Sequence, residues 1–205
     1  MTLMAKIPDF LFHYTIGPKM ALIATSGSLA PRRFSGATSA REKAILWWSE
    51  NPQWDASANK VMSADGGKTF VRPSMRELQQ AVGLFRFRLD CRRPEALRAI
   101  GLKMAPFVRL QLLAHIDPDD MADMVRRGIQ FGATPAHWWG SFNSCPLTLQ
   151  SSGLLSMETR EPVAPGQGQD QWTPVTMDQA IASFEARGKR VVMTTPTNMP
   201  AARNI

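Results

Sequence analysis

Phe10-Leu11-Phe12-His13-Tyr14-Thr15 runs directly into Ile16-Gly17-Pro18-Lys19-Met20-Ala21-Leu22-Ile23-Ala24-Thr25, with Ser26-Gly27 behind. The opening residues are apolar and aromatic and read as a buried strand. Side chains alternate along a strand, so His13 and Thr15 share one face of it. Gly17-Pro18 is turn punctuation, and Pro is tolerated in the first turn of a helix. Residues 19–25 then read as a short helix, and Gly27 suits the position after its end because it takes a left-handed conformation cheaply. A His-x-Thr strand end that feeds a tight turn and a short helix can hold a ligand at the strand mouth.

The same device recurs downstream. Residues 44–49, Ala-Ile-Leu-Trp-Trp-Ser, are apolar almost throughout and predict a central strand. Glu50-Asn51-Pro52 breaks it, and residues 53–60 read as a short helix capped by Ser49 or Asn51. Trp47, Trp48 and Trp54 crowd this stretch. Core packing explains such aromatics generally; for Trp48, beside the polar strand end, ligand stacking is an equal alternative. Leu84-Phe85-Arg86-Phe87-Arg88-Leu89-Asp90 alternates and predicts a half-buried strand. Phe85, Phe87 and Leu89 belong to its core face. Arg86, Arg88 and Asp90 belong to the other, either solvated or the floor of a basic groove.

Between these strands, residues 28–41 read as a surface loop whose Arg32, Arg33 and Arg41 either meet phosphate or are solvated. Asp65-Gly66-Gly67-Lys68 predicts a hairpin turn joining 60–64 to 69–72 and lacks the spacing of a phosphate-binding loop. Helices are expected over 75–82, with Ser74 as cap and Gly83 as stop, and over 94–102. A buried helix is expected over 106–116, followed by one that starts at Asp117 and stops at Gly128. The clustered carboxylates at Asp117, Asp119 and Asp120 fit the helix dipole better than a metal. These helices are expected to pack on one side of the sheet. After a loop that carries His137, strands are expected over 146–150 and 154–158. Residues 160–170 read as a flexible connection, 176–187 as a capped helix stopped by Gly188, 190–195 as a last β-rich segment, and 196–205 as a loose tail.

Composition narrows the classes. The 205 residues carry a formal net charge of +7 and a pI near 10.0, which points to a polyanionic partner such as nucleic acid or serves solubility alone. The two cysteines, Cys91 and Cys145, have neither zinc spacing nor a disulfide framework, which suits a reducing cytoplasm. The three histidines are His13, His115 and His137. A site using all of them would need His115, inside an apolar helix, and is disfavoured; His137 is either a base, a ligand contact or a structural histidine. No secretory signal, transmembrane run or internal repeat is visible, so no membrane partner is expected.

Several motifs carry a resemblance. His13-Tyr14-Thr15, the helix ending near Ser26-Gly27-x-Leu29-x-Pro31, Leu46-Trp47-Trp48-Ser49, Trp54-Asp55-x-Ser57-Ala58-x-Lys60 and His137-Trp138-Trp139 are similar to a group of small bacterial and phage proteins. That group has an H-Y-T … W-F-S … W-x-x-T-A-x-K … H-W-F layout. The similarity covers roughly residues 10–60 and 130–150. The layout in turn resembles, more loosely, the ADP-ribosyltransferase superfamily.

That resemblance implies an α+β fold, a split mixed or antiparallel β-sheet core flanked by helices. It implies a domain over 1–160, with 161–205 an extension packed on it. It implies NAD as the consumed nucleotide. By position His13 would bond the adenine-side ribose, with Thr15 beside it, and Tyr14 would belong to the cofactor-binding set. Trp48 and Ser49 would stand where the family's nicotinamide-stacking aromatic and small polar residue lie, and Trp54 would belong to the cofactor-binding set. A carboxylate or amide from a late strand completes such sites, and Gln150 and Glu158 are the candidates. The acceptor would be a nucleic acid or a protein, in a toxin, defence or counter-defence role. The alternatives are a non-catalytic basic phage or mobile-element protein that binds nucleic acid or blocks a host protein, and a structural or inhibitory partner protein that acts through a tryptophan-rich surface.

Overall fold

β1 (Phe10–Ile16) holds the centre of the molecule. The structure is a computed structural model and describes residues 6–33, 41–55, 58, 73–161 and 171–187. On one side β1 pairs with β3 (Leu46–Ser49), and on the other with β4 (Leu84–Asp90). Beyond β3 lie β6 (Trp138–Ser141) and then β5 (Ala105–Pro106). Beyond β4 lie β8 (Leu155–Glu161) and then β9 (Gln171–Pro174). The seven-stranded order is β5-β6-β3-β1-β4-β8-β9, with antiparallel neighbours throughout. A separate two-stranded ribbon joins β2 (Ser28–Leu29) to β7 (Cys145–Pro146). The architecture is therefore α+β, built on an antiparallel sheet. β9 belongs to the same sheet, so residues 171–174 continue the body formed by the chain before 161.

Register decides which side chains share a face. Phe12 stands opposite Ser49 and Arg88, so those residues lie on one face. His13 stands opposite Phe87, and by alternation it shares the other face with Trp48. The His13 face carries the main core: Leu11, Leu46, Trp48, Phe85, Phe87, Leu89, Trp139, Leu155 and Met157. Met20 of α1 (Gly17–Ser26), Leu97 of α3 (Pro94–Ala99) and Ala180 of α6 (Met177–Ala186) join it. Cys91 and Cys145 are free and buried in this core, and burial pushes each thiol up to about 12.

The Phe12 face is covered in two places by helices. At its β5–β6 side, Phe107 and Leu110 of α4 (Phe107–Leu113) and Met121 of α5 (Pro118–Gln130) pack over Trp138 and Ile45. At the opposite corner, Leu78 and Val82 of α2 (Met75–Val82) pack on Ile16 and Leu84. Between them the covering element is the 51–55 loop.

Local chemistry sets the helix ends. Pro18 occupies the first turn of α1, and Gly27 closes it in the left-handed conformation with φ 64°. Ser74 and Glu77 form a capping box on α2. The Glu77 amide donates to Ser74 Oγ at 3.3 Å and the Ser74 amide donates to Glu77 Oε2 at 2.7 Å. The Ser74 amide and hydroxyl, both donating to its carboxylate, hold the Glu77 carboxyl below its ordinary pKa. Ser74→Ala should therefore cost about 1 kcal/mol, read as a lower urea midpoint at unchanged slope.

Several expectations are corrected. α4 ends at Leu113, and Val108 and Leu112 are 73% and 80% exposed, so this helix buries only one side. His115 follows it in a turn, exposed, with φ 54°. α5 continues through Gly128 to Gln130. Gly128 serves contact instead: a Cβ there would lie 2.6 Å from Trp138 Cη2. Of the expected 146–150 strand only Pro146 is extended, as the end of Cys145–Pro146, and Leu147–Gln150 is a 3-10 helix. Residues 53–55 are not helical. The rest of the expected 53–60 helix apart from residue 58, the hairpin over 60–72, the 162–170 connection, Gly188, the 190–195 segment and the tail lie outside the described residues.

Candidate functional site

The 51–55 loop is held down by side chains from five neighbouring strands. From β1, the Tyr14 hydroxyl donates to the Asn51 carbonyl. From β3, Ser49 Oγ donates to Asp55 Oδ2 at 2.7 Å and accepts from the Asn51 amide at 3.2 Å. From β6, Trp138 Nε1 donates to the same Asp55 oxygen at 3.1 Å. From β4, Arg86 Nη1 donates to the Pro52 carbonyl. From β9, Trp172 Nε1 donates to the Gln53 carbonyl at 3.0 Å. Within the loop, Asn51 Nδ2 donates to the Trp54 carbonyl at 2.6 Å. A loop of this kind carries backbone groups that burial would leave unpaired, and the strands supply those partners.

Beneath the loop sits a buried ion pair. Arg86 Nε donates to Glu158 Oε2 at 2.5 Å, and Arg88 Nη1 lies 3.6 Å from Glu158 Oε1. The sheet register makes this contact, because Arg86 on β4 is directly opposite Glu158 on β8. The Arg86 guanidinium lies 4.7 Å from the Phe12 ring centre and 4.5 Å from that of Trp172. Flat cations are attracted to such ring faces. Tyr14 completes the aromatic wall, with ring centres 4.8 Å from Trp54 and 5.9 Å from Trp172. Burial lowers the Arg86 pKa and the Glu158 carboxylate opposes that shift. Burial also raises the Tyr14 pKa well above the ordinary phenol value, so the hydroxyl stays a proton donor at neutral pH.

The expected site residues divide between the two faces. Tyr14, Ser49, Trp54 and Glu158 come together around Arg86 and Asp55 on the Phe12 face. His13, Thr15 and Trp48 turn to the core on the other face. There His13 Nδ1 bonds the Trp47 carbonyl at 2.8 Å, and its ring centre lies 5.7 Å from that of Trp48 and 6.5 Å from that of Phe87. Thr15 is buried, and the Trp48 indole nitrogen is buried without a hydrogen-bond partner among the described residues. Glu50 is engaged by Trp139 Nε1 at 2.5 Å. The two strand mouths are adjacent, as the β1–β3 pairing requires, yet a ligand on one face of a central strand cannot touch side chains that leave the other.

Gln150 is not on a strand. It is exposed at the end of the 3-10 helix, while its neighbour Leu149 packs into the core of the His13 face. His137 is exposed at the end of another such turn, Pro135–His137. Arg86 is buried and paired, so the solvated reading of that face holds only for the partly exposed Arg88 beside it. Asp55, Arg86 and Trp172 were not among the expected site residues. Asp55 stood inside the Trp54-Asp55 motif, and the alternation of β4 put Arg86 on the right face. Nothing in the sequence signalled Trp172.

Among the described residues no cluster of His, Cys, Asp and Glu could hold a metal ion, and no helix is long and apolar enough to cross a membrane. No family model, curated protein or solved structure matches the chain.

Proposed function

We propose that the cluster on the Phe12 face is the site of an NAD-consuming, ADP-ribosyltransferase-like enzyme with the fold of that superfamily, and that Glu158 is its carboxylate. The observation that supports this reading is the position of Glu158. A late-strand carboxylate lies on the same face as Tyr14, Ser49 and Trp54, all named from the sequence.

The chemistry asks for such a group. Transfer breaks the bond between the nicotinamide nitrogen and ribose C1′, and the electron pair leaves with nicotinamide. The acceptor's nucleophile bonds to C1′ and releases its proton to solvent. Positive charge builds on the ribose meanwhile, and a fixed carboxylate stabilises it more than water can, because it needs no reorganisation. Arg86 and Arg88 hold and orient Glu158, which makes them positioning residues. Trp54 and Trp172 offer flat, half-buried surfaces for an aromatic ring, and Tyr14 offers a neutral hydroxyl. Glu158 itself is buried, and the Arg88 side chain beside it is 43% exposed.

His13, Thr15 and Trp48 take no part in NAD contact in this reading; His13 ties β1 to β3. The test is to incubate the protein with NAD, alone and with nucleic acid or cell lysate, and to measure free nicotinamide. Release above the protein-free rate is expected. Intact NAD under all these conditions contradicts the reading.

A further inference from the structure

Going beyond the NAD reading, we propose that the open end of the Phe12 face, at Phe10, Arg88 and Arg92, binds single-stranded nucleic acid. Phe10 is half-buried, and two guanidinium groups stand over its ring, Arg88 at 5.2 Å and Arg92 at 4.7 Å from its centre. Their side chains are 43% and 58% exposed. With Arg86 between Phe12 and Trp172, the face presents a row of alternating guanidinium planes and aromatic rings. The row begins in the site and ends in solvent.

Charge favours an anion here. Four arginines, Arg86, Arg88, Arg92 and the exposed Arg93, stand against three carboxylates: Arg92 already engages Asp90 at 2.7 Å and 3.0 Å and neighbours Asp9, and Glu158 is shared by Arg86 and, at 3.6 Å, Arg88. The chain as a whole carries a net charge of +7. Unpaired bases stack on arginine planes and on aromatic rings, while the arginines meet phosphate. A duplex hides its base faces and gains only the phosphate contacts. An acidic protein would use the charge and leave the ring–guanidinium planes unused.

The test is fluorescence anisotropy with labelled oligothymidylate and oligouridylate of about ten nucleotides, without NAD. Affinity should fall at least tenfold between about 50 and 200 mM salt. Arg92→Ala should weaken binding about tenfold and flatten the log–log salt slope by about 0.7. Phe10→Ala should weaken it about tenfold with the slope unchanged, as loss of one stacked base would. Arg92 is at the surface, so its variant remains informative if Phe10→Ala proves unstable on heating. Absence of binding at low salt, equal binding by folded Arg92→Ala, or equal competition by a duplex overturns the proposal. NAD is absent throughout, so failure here is separate from failure of the transferase reading.

Discussion

Glu158→Ala should lower unfolding stability by about 3–5 kcal/mol, a loss typical of a buried ion pair stripped of one partner. The two side chains are only 9% and 8% exposed, and they meet at 2.5 Å. Without Glu158, the Arg86 guanidinium keeps the Pro52 carbonyl and the two flanking rings but has no counter-charge. It cannot shed its proton at any ordinary pH. Arg88, which also faces Glu158, would then add repulsion. Replacing the pair with Arg86→Met and Glu158→Leu together should restore most of the loss, since burying two charges is itself expensive. Equilibrium urea unfolding of the single and double variants gives the comparison. A loss below about 1 kcal/mol for Glu158→Ala would mean that water screens the pair, as it does for exposed pairs.

Trp138→Ala should cost about 3–5 kcal/mol, the range for deleting a large buried aromatic. Its ring packs 5.2 Å from Phe107 and 6.3 Å from Trp47, and Gly128 of α5 is pressed against it. The same indole holds Asp55 through its nitrogen, so one side chain joins the helical cover to the loop over the site. Trp138→Phe separates the two roles. It keeps most of the packing and removes the bond to a carboxylate, at an expected cost of about 2 kcal/mol. Protease cutting within 51–55 should rise in Trp138→Phe before global unfolding does. Equal losses in the two variants would show that packing contributes little beyond the hydrogen bond.

The elements that local chemistry specifies were legible. β1 followed from its apolar run, α1 from Pro18 and Gly27, α2 from Ser74, and β4 from its alternation. What failed depended on distant partners. Arg86 looked like a surface residue because Glu158 and Trp172, which bury it, are far along the chain. Gly128 looked like a helix stop because nothing local announces the Trp138 ring against it. α4 looked buried because its composition is apolar on every side, and only packing shows which side is covered. β9 has too few residues to show a period. The site was half legible for a plainer reason. His13, Tyr14 and Thr15 are consecutive on a strand, so alternation forbids all of them from facing one ligand. Reading Tyr14 with Ser49, and His13 with Trp48, follows from the β1–β3 register, which the sequence does not supply.

Nicotinamide release from NAD by wild-type protein and by Glu158→Gln, measured side by side, bears most directly on the role given to Glu158. Glutamine keeps the shape and an oxygen that can accept from Arg86, but it lacks the charge that stabilises the ribose cation. Ser74→Ala, destabilised at the α2 cap where Ser74 bonds Glu77, controls for mere loss of stability. The expected result is release by the wild type and by Ser74→Ala, with the Glu158→Gln rate down by about a hundredfold or more. Release by Glu158→Gln at the wild-type rate, or none from the wild type, would mean that the carboxylate beneath the 51–55 loop serves the fold alone.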